Sequence, residues 1–302
     1  MTGDFLNKMH SFSLCLITVF LSIFKEDLNI YFSFSNELML IICFFLIASI
    51  GISHGALDNY KGAKFLKKFN IKNSLYFYIA YIAVSIFVIL LWIIFPEITL
   101  ILFLIIAAFH FGKEDNVFKK SKIKYLGFFL FLKGALVILA PLYFNFYETI
   151  KIFEVLNLKI ENIDSNALLS LIVISVLSSF VINKDFVFPF IDCFTIVMLN
   201  YTFSPLVAFT IYFCFLHSIR HSISLIGEMD NKNFKNGTKI FFKRALPLTF
   251  ITGLLFLFGL FILNNYYSFN YSILKVIFIG LASLTFPHIL LEYLLEKNEK
   301  KS

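Results

Sequence analysis

Residues 75–95 read LYFYIAYIAVSIFVILLWIIF, without one charged side chain. A helix rises ~1.5 Å per residue, so about 20 such residues cross the ~30 Å of hydrocarbon in a bilayer. Ile98 to Ala108, just past Pro96 and Glu97, is a second uncharged run. Working outward from this pair, apolar segments fall at approximately 11–24, 37–56, 74–95, 97–111, 125–144, 167–183, 186–201, 204–221, 246–264 and 271–293. The first, sixth and seventh are short or weakly bounded. The sequence thus predicts an all-α, polytopic integral membrane bundle of eight to ten transmembrane helices, with residues 1–302 forming a single membrane-embedded domain.

Composition agrees. Apolar residues make up 59% of the chain and charged residues 15%, against about 25% charged in a soluble domain. The net charge of +7 does not point to nucleic acid, because the 24 lysines and 2 arginines sit mostly in short loops between apolar runs. Placing the N-terminus in the cytoplasm puts 21 of the 26 basic residues in inward loops and tails, as the positive-inside pattern requires. The expected location is the inner (plasma) membrane, multi-pass, with both termini cytoplasmic and the lysines against anionic lipid. Lys8 followed by Ser11 to Phe24 has the shape of a signal peptide. No small-residue cleavage site precedes Lys25-Glu26-Asp27, so the segment reads as a retained first helix. Cys15, Cys43, Cys193 and Cys214 all lie in apolar runs and read as reduced, packed thiols.

Four motifs carry the chemistry. They are Ser53-His54-Gly55-Ala56-Leu57-Asp58, Phe109-His110-Phe111-Gly112-Lys113-Glu114-Asp115, His217-Ser218-Ile219-Arg220-His221 and Pro287-His288-Ile289-Leu290-Leu291-Glu292. In each, a histidine is followed four positions on by a carboxylate or a second histidine, which a helix brings to one face. All lie near the cytoplasmic ends of even-numbered segments, so five histidines from four helices can share one layer. Ionisable side chains at membrane depth are costly and mark function. Neutral imidazole is a good ligand for iron, zinc and copper. His217 and His221 form a chelating pair, and His54 and His110 are further metal candidates. His288 reads as a supporting residue. Asp58, Glu114 and Glu292 are spaced to accept the other ring N–H of a ligating histidine or to ligate directly. His10 has no partner motif and reads as hydrogen-bonded to a backbone carbonyl. Lys133 and Asp192, about two turns deep, read as an ion pair. Gly51 and Gly55 flank His54 as a small-residue notch.

Two classes of membrane protein share such features. A di-iron hydroxylase or desaturase of a lipid or carotenoid uses more histidines than the five available here. A metal- or proton-coupled transporter would place them at the midplane.

The ordered motifs resemble those of the Brp/Blh family of bacterial and archaeal β-carotene 15,15′-dioxygenases (bacteriorhodopsin-related protein-like, retinal-forming), over about residues 40–295. The resemblance implies an integral-membrane, non-haem Fe(2+) enzyme. It would cleave the central 15,15′ double bond of β-carotene with O2, give two retinal molecules and be linked to a microbial rhodopsin. Its iron ligands, carried over by motif, would be His54, His110, His217 and His221, which would thus be catalytic. Asp58, Glu114, His288 and Glu292 would support them. Phe109, Phe111, Phe213, Phe215, Phe286 and Tyr293 flank the motifs and are candidates to line a substrate tunnel opening to lipid. The family often has Pro where this chain has Ser53, and His where it has Asn59. Residue 59 is about 140° around a helix from His54 and so off the metal face. A family member that binds carotenoid without turnover is a further possibility.

Overall fold

The structure, a computed structural model, describes residues 3–24, 37–115, 123–183, 185–230 and 232–299. The side chain of His54 lies outside the described residues. Among the described residues there are helices and no strands. They are α1 (Gly3–Ile23), α2 (Glu37–Leu46), α3 (Asp58–Lys68), α4 (Leu75–Ile94), α5 (Pro96–Glu114), α6 (Leu126–Phe144), α7 (Phe146–Val155), α8 (Ser165–Ile182), α9 (Val187–Thr202), α10 (Pro205–Ile211), α11 (Ile219–Met229), α12 (Phe234–Leu263) and α13 (Phe269–Glu299). A π-helical turn at Ile47–Gly51 and a 3-10 turn at Ser53–Leu57 join α2 to α3. A second π-helical stretch, Tyr212–Ser218, joins α10 to α11.

Nine of these rods, two of them built from the joined pieces, are long and apolar enough to cross a membrane. The chain is therefore a multi-pass membrane protein. The expected segment at 186–201 is α9, an apolar helix only sixteen residues long. Two short helices stand where loops were expected, α3 and α7. Both are amphipathic rather than uniformly apolar, so a search for uncharged runs passes over them.

The outside of the bundle is apolar. Along α4, Ile79, Phe87, Leu90 and Ile94 are exposed, and along α12 so are Phe250, Leu254, Leu257 and Phe261. In water this would be an aggregation surface; in lipid it is the favourable one. The tightest packing is between α5 and α6. A Cβ built on Gly112 would stand 1.8 Å from the Leu130 carbonyl oxygen, and one on Gly134 1.8 Å from that of Ala108. Backbones approach this closely only where both helices carry glycine. Gly51 is also a real notch, since its Cβ would meet the Phe213 ring at 2.6 Å, whereas among the described residues Gly55 has only Asp58 nearby, at 4.0 Å.

The expected Lys133–Asp192 pair is not formed. Asp192 binds Arg220 instead, two-pronged, at 2.7 and 2.9 Å. Lys133 donates to the backbone oxygen of Asp115 at 2.9 Å. The planar guanidinium matches both carboxylate oxygens at once, which a single ammonium does not. His10 does hydrogen-bond a backbone carbonyl, that of Phe215.

Candidate metal centre

His110 lies near the end of α5, His217 in the π-helical stretch, His221 in the first turn of α11 and His288 in the second half of α13. All four are buried, His217 completely. The bundle brings them together. Ring centroids of His110 and His217 are 5.2 Å apart, those of His110 and His288 5.3 Å, and those of His221 and His288 6.2 Å. Phe111 and Phe213 pack on the His217 ring, edge-on and stacked respectively.

Three of the four rings have a carboxylate on Nδ1. His217 meets Asp115 Oδ1 at 3.0 Å, His221 meets Glu114 Oε2 at 3.0 Å, and His288 meets both oxygens of Asp58 at 2.9 Å. With the carboxylate accepting from Nδ1–H, the tautomer that results presents Nε2 as the ligating nitrogen. The i,i+4 spacing suggested that Glu114 backs His110 and that Asp58 backs His54. Glu114 instead reaches across to α11; Asp58 reaches across to α13, and its relation to His54 lies outside the described residues. Both stand at helix ends, where a side chain is as close to the neighbouring helix as to its own.

Asp115 was not among the expected site residues, although it closes the second motif. Its Oδ2 accepts from Tyr212 Oη at 2.5 Å, while Arg220 and Lys133 donate to its backbone oxygen. Burial alone would raise its carboxyl, but His217, Arg220 and Lys133 outweigh burial and hold it well below the usual carboxylate range. Tyr81 from α4 was also missed; its hydroxyl donates to Asp58 Oδ2 at 3.0 Å. The sequence signal for it was faint, a tyrosine inside a run of aliphatic residues.

Glu292 joins both potential donor groups. One ligand atom each from His110, His288 and Glu292 lie within 4.8 Å of one another, as do those of Glu114, His221 and Glu292. Glu292 is also held by Lys61 at 3.0 Å and Lys113 at 3.8 Å, so it ties α13 to α3 and α5. Cys214 is buried against Gly51 and belongs to neither donor group.

A cavity of about 760 Å³ opens beside the histidines. His110, His288 and Asp58 lie at one end, and the walls come mainly from α4, α12 and α13. Phe111 and Phe213 line it, as does Trp92. Phe109, Phe215, Phe286 and Tyr293 are not among its lining residues. Phe109 and Tyr293 face outward, and Phe215 and Phe286 pack against the core. Phe109 and Phe111 flank His110 about 200° apart around the helix, so only one of them faces the site, and Phe215 and Phe286, two positions before a histidine, are turned away from it by the same angle. Asn59 lines the cavity, its Nδ2 donating to Tyr78 Oη at 3.3 Å.

These features define a class: an all-helical membrane protein with a carboxylate-backed histidine cluster beside a long apolar cavity. Residues 45–296 match the beta-carotene 15,15′-dioxygenase family, and the chain belongs to that family. A curated relative, a beta-carotene 15,15′-dioxygenase from uncultured marine bacterium 66A03, is 27% identical over 257 residues, covering 82% of this chain and 90% of the relative. No solved structure matches the chain.

Proposed function

We propose that this protein cleaves the central 15,15′ double bond of β-carotene with O2 to give two molecules of retinal, at a ferrous ion held by buried histidines. The observation that carries the reading is the cluster of imidazoles from four helix segments at the mouth of an apolar cavity. Its donor set suits a ferrous ion. An imidazole bound through nitrogen at ~2.1 Å has its centroid roughly 3 Å from the ion, so two rings on one ion stand about 5 Å apart. The spacings of 5.2 and 5.3 Å agree with this, and 6.2 Å is slightly wide.

His110, His217, His221 and His288 would hold the ion, and His54 joins them on its motif. Asp115, Glu114 and Asp58 fix the rings of His217, His221 and His288 and make them more basic. Bound there, iron would supply the electron-transfer chemistry by which O2 attacks an electron-rich polyene. The rest falls to the protein. Trp92, Phe103, Phe111 and Phe213 keep water out and hold one arm of the polyene along the cavity. The depth of that cavity selects which double bond lies beside the histidines. Entry from lipid between α4 and α12 suits a substrate dissolved in the bilayer. With Lys61 and Lys113 on Glu292, that carboxylate is an unattractive bridge for a second ion, which favours one iron over two.

By the distribution of lysine, and with α9 as a tenth crossing, the termini face the cytoplasm of a cell whose plasma membrane holds the protein in contact with anionic lipid, and a retinal-binding rhodopsin is the natural consumer of the product. The test is expression in bacteria that accumulate β-carotene. The expected outcome is loss of orange colour with retinal appearing, suppressed by iron starvation and accompanied by one iron per chain in the purified protein. Persistent β-carotene with iron present would overturn the reading.

A further inference from the structure

A charged residue that the reaction above does not use stands on the cavity wall. Lys275 lines it from α13 and is only 6% exposed. Among the described residues it makes no hydrogen bond or ion pair; its Nζ lies 4.6 Å from the centre of the Tyr267 ring. A buried lysine without a carboxylate is costly and normally has a ligand or a functional reason. Lys275 stands thirteen residues before His288 on the same helix, which places it about 20 Å along the axis from the histidine layer. It therefore marks the far end of the slot, beside Ile262 and Leu263 of α12 and remote from the reacting bond.

That distance fits one arm of a carotenoid. An extended chain advances about 1.2 Å per bond, as backbone does with three bonds in ~3.5 Å. About a dozen bonds separate the central carbon of a carotenoid from the far side of its ring, or roughly 14 Å on the same scale. The lysine stem, whose Nζ here lies over Tyr267 on the side away from the histidines, spans the remainder when it swings back into the slot. The ring of β-carotene is a hydrocarbon and offers an ammonium nothing. A ring bearing a ketone or hydroxyl offers an acceptor.

On the carotenoid-cleaving reading just given, we propose that Lys275 forms an end-group subsite for carotenoids with an oxygenated ring, its ammonium donating to the ring oxygen. The protein would then take keto- or hydroxy-carotenoids in preference to β-carotene and release ring-oxidised retinals. A hydrogen bond from a charged donor in an apolar site is worth roughly tenfold or more in affinity.

Trp92 is the only tryptophan in the chain and lines the cavity, so quenching of its fluorescence reports occupancy without turnover. The purified protein in detergent is titrated with β-carotene and with the diketo carotenoid canthaxanthin, as wild type, Lys275→Met and Lys275→Arg. The expected result is that wild type and Lys275→Arg prefer the diketone about tenfold, while Lys275→Met loses that preference and takes β-carotene at least as tightly. The same ratio in wild type and Lys275→Met, with β-carotene binding intact, would overturn this inference alone. Quenching by neither carotenoid in the wild type would overturn both this inference and the cleavage reading.

Discussion

Asp58 and His288 are 230 positions apart in the chain, yet both carboxylate oxygens of Asp58 lie 2.9 Å from His288 Nδ1. Tyr81 adds its hydroxyl to the same carboxylate, so α3, α4 and α13 are joined at one point. Replacing Asp58 by Asn keeps the size and removes the charge. Nδ1 of His288 then faces a weaker acceptor and the preferred tautomer is no longer enforced. Loss of such a partner commonly costs about 10–100-fold in metal affinity or activity. We expect that loss in iron retention after dialysis and in retinal formed per chain. An Asp58→Asn enzyme equal to wild type in both would remove the carboxylate from the site.

His288 itself is expected to matter as much as the chelating pair. It is 3% exposed, 5.3 Å from His110 ring to ring and backed by a carboxylate. His288→Ala should therefore abolish retinal formation and lower bound iron to the same extent as His217→Ala. A His288→Ala protein that keeps full iron and makes retinal would return His288 to a supporting role. Elution as a single peak in detergent separates loss of the site from loss of the fold.

The membrane class was legible because uncharged runs such as 75–95 have one physical explanation, and the histidines were legible because ionisable groups inside such runs are rare. Their partners were not. Helical spacing pairs residues within one rod, whereas Glu114 and Asp58 act across rods, and helix order around the bundle is not written in the periodicity. The same blindness gave Asp192 to Lys133 instead of Arg220: lateral position decides which two meet, and Arg220 was counted with the loop charges. Lys275 escaped because a single charge in an apolar helix looks like tolerated noise until a cavity is seen beside it.

Arg220 offers a test of that network. Its guanidinium holds Asp192 through two hydrogen bonds and reaches Ser11 Oγ at 2.7 Å and the Asp115 oxygen at 3.2 Å. Arg220→Met leaves Asp192 charged and unpaired in the interior, a loss of about 3–5 kcal/mol by comparison with other broken buried pairs. The thermal midpoint in detergent should fall by several degrees. Removing both charges, as Arg220→Met with Asp192→Leu, should recover much of it. A double variant no more stable than Arg220→Met would show that Arg220 acts through Asp115 and Ser11 instead.

The two glycines that follow histidines should behave oppositely. Gly112 sits two residues after His110 and two before Glu114, and any Cβ there would stand 1.8 Å from the Leu130 carbonyl oxygen. Backbone cannot yield as a side-chain tip can, so Gly112→Ala must push α5 away from α6 and carry His110, Glu114 and Asp115 with it. Among the described residues, a Cβ on Gly55 would meet nothing nearer than Asp58 Oδ2, at 4.0 Å. Gly55→Ala should accordingly fold and retain iron like wild type, whereas Gly112→Ala should lose most of its yield in detergent and most of the iron in what survives. The comparison is informative because both changes add the same methyl next to the same cluster. Equal tolerance at the two positions would mean that α5 and α6 are not in contact through Gly112, and the placement of His110 would have to be revised with them.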